Sequence, residues 1–143
     1  MARKLATFFG IVFLLVGLLG FVSNPIIGRA SYFLTNPAHD FAHLVLGGFL
    51  LGLATGGNRS AKLALYATGA VYALLALVGF AQVGPSGDGM LLGLVHINYN
   101  DNWLHALLGV VLIVSGLAAE SRSHALGTTR STAQGAVMHR RWR

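Results

Sequence analysis

Four long apolar runs, separated by short polar segments, dominate the sequence. They occupy about residues 5–22, 37–55, 63–83 and 99–119. Each run approaches the roughly 20 residues that a helix needs to cross a hydrocarbon layer of about 30 Å. The pattern predicts one all-α domain over residues 1–119, a bundle of four transmembrane helices. Residues 120–143 show little apolar periodicity and are predicted to form a cationic, disordered cytoplasmic tail.

The second half of the chain resembles the first half. Residues 36–47, NPAHDFAHLVLG, match residues 98–109, NYNDNWLHALLG. Laying the third run on the first aligns three further pairs, Gly10 with Gly69, Phe13 with Tyr72, and Gly20 with Gly79. The sequence therefore predicts two tandem helical hairpins that start from the same side of the membrane, as parallel repeats.

Charge indicates the orientation of these helices. The chain has 10 Lys and Arg against 4 Asp and Glu, a net charge of +6. Basic residues precede the first run, separate the second from the third, and follow the fourth, whereas only Arg29 lies in the other two connections. The positive-inside rule then predicts a multi-pass protein of a bacterial inner membrane with both termini in the cytoplasm. Because topology explains the charge, we expect lipid contacts and no nucleic-acid binding.

The repeated motif begins with a helix cap in each half. Asn36 precedes Pro37, which suits an N-cap with proline at the first helical position. Asn98, with Asp101 three residues later, suits the same kind of cap. Asn36 and Asn98 are therefore predicted to be structural caps.

Polar and small residues recur along one face of the second and fourth helices. His39, His43 and Gly47 are spaced by four residues, and Asp101, His105 and Gly109 repeat that stripe. Small residues mark close approach of membrane helices, so we expect Gly47 to meet Gly109. That contact would gather His39, His43, Asp101 and His105 in a pocket that opens outward. Asp40 and Asn102 would support this pocket as further polar groups.

This cluster has three interpretations. It could be a structural network that satisfies helix ends. It could bind a Zn-like ion through its imidazoles and carboxylate, or carry a haem or chlorophyll-type pigment at His43 and His105. It could also relay or sense protons. Neither a Ser/His/Asp arrangement nor an HExxH motif is present, so no enzyme is expected. Cysteine is absent, which excludes thiolate ligands.

The paired motifs resemble bacterial membrane proteins of domain-of-unknown-function family 4383. The family's second motif, DNWLH-x-x-LG, is intact at residues 101–109, whereas its first motif commonly has Asn where Asp40 stands and a branched aliphatic residue where Phe41 stands. The resemblance covers about residues 4–119 and implies a small four-helix membrane protein, without a function. We expect a non-enzymatic binding or accessory subunit; the alternatives are a purely structural subunit of a larger membrane complex and a proton-linked sensor or carrier.

Overall fold

A computed structural model describes residues 1–119 of the chain. Its helices are α1 (Ala2–Gly20), α2 (Pro37–Thr55), α3 (Asn58–Gln82) and α4 (Tyr99–Ala119). All four are long and apolar enough to cross a membrane, so this is a multi-pass membrane protein with the predicted all-α bundle fold. The predicted tail, residues 120–143, lies outside the described residues.

Helices α2 and α4 have the predicted bounds, whereas α1 and α3 begin earlier. Helix α1 starts at Ala2 instead of residue 5, and α3 starts at Asn58 instead of residue 63. The added turns carry Arg3, Lys4 and Arg59, which are good helix formers with stems long enough to keep their charges in the headgroup region. An apolar run marks the hydrocarbon-spanning part of a helix and not its ends.

Glycines bring α1 close to α2 and α3 close to α4. A Cβ atom added at Gly10 would lie 3.1 Å from the carbonyl oxygen of Gly47, and one added at Gly69 would lie 3.1 Å from that of Gly109. We call residues 2–55 hairpin 1 and residues 58–119 hairpin 2. The matching contacts agree with the predicted tandem repeat, which itself stays a prediction.

The predicted contact between Gly47 and Gly109 is wrong. A Cβ at Gly47 would lie 2.8 Å from the carbonyl oxygen of Gly10, and a Cβ at Gly109 would lie 2.9 Å from the backbone nitrogen of Ala73. Each glycine therefore faces the other helix of its own hairpin. A small residue permits close approach of two helices, but it does not select the partner.

One end of the bundle, the loop end, holds residues 21–36 and 83–98, and its short strands were not predicted. Strand β1 (Ile27–Gly28) pairs in parallel with β2 (Phe33–Leu34), and β3 (Asp88–Leu91) pairs antiparallel with β4 (Val95–Asn98). The two loops also bind each other. The Asn36 amide donates to the Leu94 carbonyl at 2.9 Å, and the Asn98 amide donates to the Tyr32 carbonyl at 2.8 Å.

The centre of the bundle is filled by large buried side chains from all four helices. The rings of Phe13 and Tyr72 stack with their centroids 5.2 Å apart, joining α1 of hairpin 1 to α3 of hairpin 2. Leu50, Leu65 and Leu112 are fully buried in the same core. Large apolar side chains on the outer faces of the helices are exposed, as lipid contact requires.

Candidate functional site

The elements that carry the repeated motif begin with side-chain caps. Asn36 Oδ1 accepts a hydrogen bond from the His39 N–H at 3.0 Å, and Pro37 occupies the first position of α2. At α4, Asn98 Oδ1 accepts from the Asp101 N–H at 3.1 Å, while Asp101 Oδ2 accepts from the Asn98 N–H at 2.8 Å. Asn36 and Asn98 therefore occupy the two cap positions that the sequence predicts.

Asp101 binds backbone groups through one of its two carboxylate oxygens. Besides the Asn98 N–H, its Oδ2 accepts a hydrogen bond from the Leu34 N–H of strand β2 at 3.2 Å. The carboxylate thus ties the start of α4 to the loop of hairpin 1. The prediction of Asp101 as a metal ligand stays a prediction. A carboxylate in the first turn of a helix is drawn to backbone N–H groups that have no partner within the helix.

The three histidines of the motif do come together. The rings of His39 and His43 stack with centroids 4.8 Å apart, and the rings of His39 and His105 lie 5.8 Å apart, edge to face. Their exposed fractions are 4%, 8% and 3% in chain order. We call these three residues the histidine cluster; it joins α2 of hairpin 1 to α4 of hairpin 2.

Tyr72, which the sequence did not place in the site, completes the cluster. Its hydroxyl is hydrogen-bonded to His43 Nδ1 at 3.1 Å, and its ring lies 5.1 Å from that of His105. The side chain is only 1% exposed. The predicted repeat aligns Tyr72 with Phe13, so only its hydroxyl could have signalled a polar role.

The ring nitrogens of the cluster differ in their partners. His39 Nδ1 lies 2.9 Å from the His96 carbonyl oxygen, which can only accept, so Nδ1–H is the donor. His105 Nδ1 is buried without a hydrogen-bond partner among residues 1–119. In the predicted repeat the position equivalent to Tyr72 is Phe13, which has no hydroxyl.

Asp40 and Asn102 pack against glycines of neighbouring helices, and their predicted role in supporting the histidines stays a prediction. The Asp40 carboxylate packs against Gly20 of α1, and the Asn102 amide packs against Gly79 of α3. Asn102 Nδ2 donates to the Gly84 carbonyl at 3.2 Å. Each follows a stripe residue directly in sequence, and a step of one residue turns a helical side chain by about 100° away from its neighbour.

The cluster supplies nitrogen atoms without forming a finished coordination site. In the described part of the chain, no group of three or more His, Asp or Glu side chains is arranged to hold a metal ion. The stacked rings of His39 and His43 are nearly parallel, at 20° to each other. The rings of His39 and His105 are inclined at 63° to each other.

Comparison with known protein families identifies the family of this chain. The model of the family described as "Domain of unknown function (DUF4383)" matches residues 3–118. The chain belongs to this family. The DUF4383 match spans all four helices and includes every residue of the histidine cluster. No curated protein matches the chain, and no solved structure matches it.

Proposed function

We propose that this DUF4383 protein is a non-enzymatic binding or accessory subunit whose histidine cluster binds a transition-metal ion. The observation that carries the proposal is the buried Nδ1 of His105, which has no partner among the described residues. A polar atom left unpaired in a protein interior calls for an explanation, and a bound ion is one of the few available. Imidazole is also the commonest metal ligand among side chains.

The surroundings of the other two histidines suit ligand residues. A metal-binding histidine usually donates its second ring nitrogen to a carbonyl or similar group, which fixes the ring. His39 does this with the His96 carbonyl, and His43 bonds the Tyr72 hydroxyl, both through Nδ1. Their Nε2 atoms, together with His105 Nδ1, are the three donors that we propose.

The donor set selects the class of metal. Imidazole suits Zn, Cu, Fe and Ni, whereas Mg and Ca prefer oxygen. Two backbone N–H groups engage Asp101 Oδ2, so we propose a set of nitrogen donors alone. Three histidines and a water molecule make a common tetrahedral zinc site. Binding requires the stacked His39 and His43 rings to rotate until their nitrogens converge.

A haem or chlorophyll-type macrocycle fits this cluster less well than an ion. His43 and His105 are both buried, and both of their rings pack near Tyr72. The stacked rings of Phe13 and Tyr72 fill the adjoining space at the bundle centre. A planar cofactor would have to displace this packing, whereas a single ion needs only ring rotations.

Metal analysis tests the proposal. Untagged protein purified in mild detergent is incubated with zinc, desalted, and assayed for zinc per chain. We expect about one zinc per chain, lost in the His43→Ala, His105→Ala double variant and retained in His96→Ala, which keeps its backbone carbonyl. Retention of zinc in Asp101→Asn would show that the site consists of the three histidines and does not include the Asp101 carboxylate as a fourth ligand. Absence of zinc from the native protein, or equal zinc in the double variant, would contradict the proposal.

A second candidate is a purely structural role within a larger membrane complex. It is favoured by the bonds that already engage the cluster, above all the Tyr72–His43 bond that links α3 to α2. Under this alternative the cluster holds the two hairpins in register. This role predicts that His43→Ala is less stable than the native protein. It also predicts that added zinc does not change the stability of the native protein.

We also propose that the loop end faces the outside of a bacterial inner membrane and that the termini lie in the cytoplasm. Arg3, Lys4, Arg59 and Lys62 lie at the opposite end of the bundle, whereas Arg29 is the sole Lys or Arg within residues 21–36 and 83–98. The positive-inside rule supports this orientation. The histidine cluster would then lie near the outer surface.

A further inference from the structure

Hairpin 1 contains a cavity of about 370 Å³ at the loop end, separate from the histidine cluster. It lies between the end of α1, the first loop and the start of α2. Its lining includes Gly20, Asn24, Arg29 and Asp40, and none of the clustered histidines. The volume falls within the range of about 300–1,000 Å³ that is usual for small-molecule sites.

Asp40 forms a buried acidic wall of this cavity. The residue is 2% exposed, and its Oδ1 has no hydrogen-bond partner within residues 1–119. Close packing against Gly20 holds the carboxylate in place. A buried carboxylate is costly unless donors or a positive charge accompany it. Asp40 is also one of the residues that line the cavity.

Hairpin 2 provides an internal comparison. Asn102 occupies the equivalent place against Gly79, and its amide nitrogen donates to the Gly84 carbonyl. Its Oδ1 also lacks a donor, but this group is neutral. Only hairpin 1 places a carboxylate at this position, so a charge distinguishes its cavity wall from the equivalent place in hairpin 2.

The cavity wall is held in shape by Asn24. Its side-chain amide donates to the carbonyls of Leu19, Val22 and Ile27 at 3.0, 2.7 and 2.9 Å. Its Oδ1 accepts from two backbone N–H groups, and its carbonyl accepts from the Ser31 hydroxyl at 2.6 Å. These bonds fix the loop around one residue, so the cavity follows from the fold of the loop.

The charges of the cavity differ between its interior and its rim. Asp40 is buried, whereas Arg29 is exposed at the same cavity. Hard metal cations take six or more oxygen ligands, and a cavity with one carboxylate and a positively charged guanidinium does not favour such a cation. We propose that the cavity binds a small zwitterion, with a primary ammonium against Asp40 and a phosphate-like anion against Arg29. This is the chemistry of an aminoalkyl phosphate, free or as a phospholipid headgroup.

Calorimetric titration with phosphoethanolamine tests the proposal on the full chain in detergent. We expect the native protein to bind it and Asp40→Asn, which preserves shape, to lose about tenfold or more in affinity, the scale of a hydrogen bond to a charged group. Asp88→Asn, an exposed acid in strand β3, should bind like the native protein. Arg29→Gln should weaken phosphoethanolamine more than ethanolamine. Absence of binding to both phosphoethanolamine and the lipid below, or equal affinity in Asp40→Asn, would overturn the proposal.

Nanodiscs distinguish the two sources of this chemistry. If the headgroup is the ligand, phosphatidylethanolamine should raise the unfolding temperature relative to phosphatidylglycerol in the native protein, but not in Asp40→Asn. If the free molecule is the ligand, only added phosphoethanolamine should do so. Asp40→Asn should keep its zinc, because Asp40 lies outside the histidine cluster. Failure of this proposal and failure of the metal site are thus separately visible.

Discussion

Single atoms distinguish the two hairpins where they meet. Tyr72 and Phe13 are stacked and occupy equivalent places in the predicted repeat, yet only Tyr72 carries a hydroxyl. That hydroxyl binds His43, while the equivalent His105 Nδ1 has no partner among the described residues. The asymmetry gives the cluster one histidine that is fixed by its neighbour and one with an unpartnered ring nitrogen.

Removing the hydroxyl of Tyr72 tests its structural role. Tyr72→Phe should lower the free energy of unfolding by about 1–3 kcal/mol, because it leaves a buried His43 nitrogen unpaired. Tyr32→Phe, at a ring that is 61% exposed, is the matched control and should change little. The measurement is denaturant-induced unfolding in detergent. Equal unfolding midpoints for the two variants would mean that the hydrogen bond contributes nothing.

Adding a hydroxyl at the equivalent position should have the opposite effect. Phe13→Tyr places a partner near His105 if the two hairpins are related as the repeat predicts. We expect metal-free protein to gain about 0.5–1.5 kcal/mol in unfolding free energy, the net value of a typical hydrogen bond. The same unfolding assay provides the readout. A loss of stability would show that position 13 has no room for an oxygen and that the equivalence fails.

At the scale of helices, close backbone contacts fix each hairpin. Gly10 meets Gly47 in hairpin 1, and Gly69 meets Gly109 in hairpin 2. The atoms opposite these glycines include backbone oxygens and nitrogens, which cannot move aside as a flexible side chain can. Asp40 and Asn102 lie further toward the loop end on the same helices, each against a glycine of its hairpin partner.

Alanine substitutions separate contact glycines from exposed ones. Gly47→Ala and Gly109→Ala should each destabilise the protein by about 1–3 kcal/mol, as overpacking commonly does. Gly52→Ala lies on the same helix as Gly47 but faces open space, so we expect it to be neutral or slightly stabilising. Thermal unfolding of the three variants provides the comparison. Similar losses in Gly47→Ala and Gly52→Ala would contradict the packing described.

The sequence was sufficient to predict the helices and their caps, but not which residues of different helices contact each other. Apolar runs are sufficient for transmembrane helices, and Asn36 and Asn98 are local signals for helix starts. The partner of Gly47 depends on the arrangement of four helices, which a stripe of small residues does not encode. Tyr72 was missed because nothing in its local sequence signals a polar contact across the bundle. The bond from the Leu34 N–H to Asp101 was missed because the two residues lie 67 positions apart in the sequence.

At the scale of the whole molecule, the hairpins are joined in two layers. The loops exchange hydrogen bonds from Asn36 and Asn98, and the histidine cluster with Tyr72 links the helices beneath them. Asp101, at the start of α4, adds a further bond to the first loop through the Leu34 N–H. The proposed site therefore exists only when both hairpins are docked, which couples any ligand to the complete fold.

Labelling of single cysteines tests the proposed orientation. The native chain has no cysteine, so Ser86→Cys at the loop end and Thr55→Cys at the opposite end each introduce a unique thiol. A membrane-impermeant maleimide should label Ser86→Cys in intact cells, and Thr55→Cys only after permeabilisation, because basic segments stay in the cytoplasm. The reverse pattern would place the histidine cluster near the cytoplasmic surface.

X-ray absorption at the zinc edge of zinc-loaded protein tests the central claim, that three histidines from both hairpins form one metal site. The account predicts a first shell of about three imidazole nitrogens and one oxygen at about 2.0–2.1 Å, characteristic of a tetrahedral zinc site. Asp101→Asn should leave this spectrum unchanged, and His105→Ala should remove one imidazole. A shell of oxygens alone, or a spectrum indifferent to His105→Ala, would contradict the account and leave the cluster as the link between the hairpins.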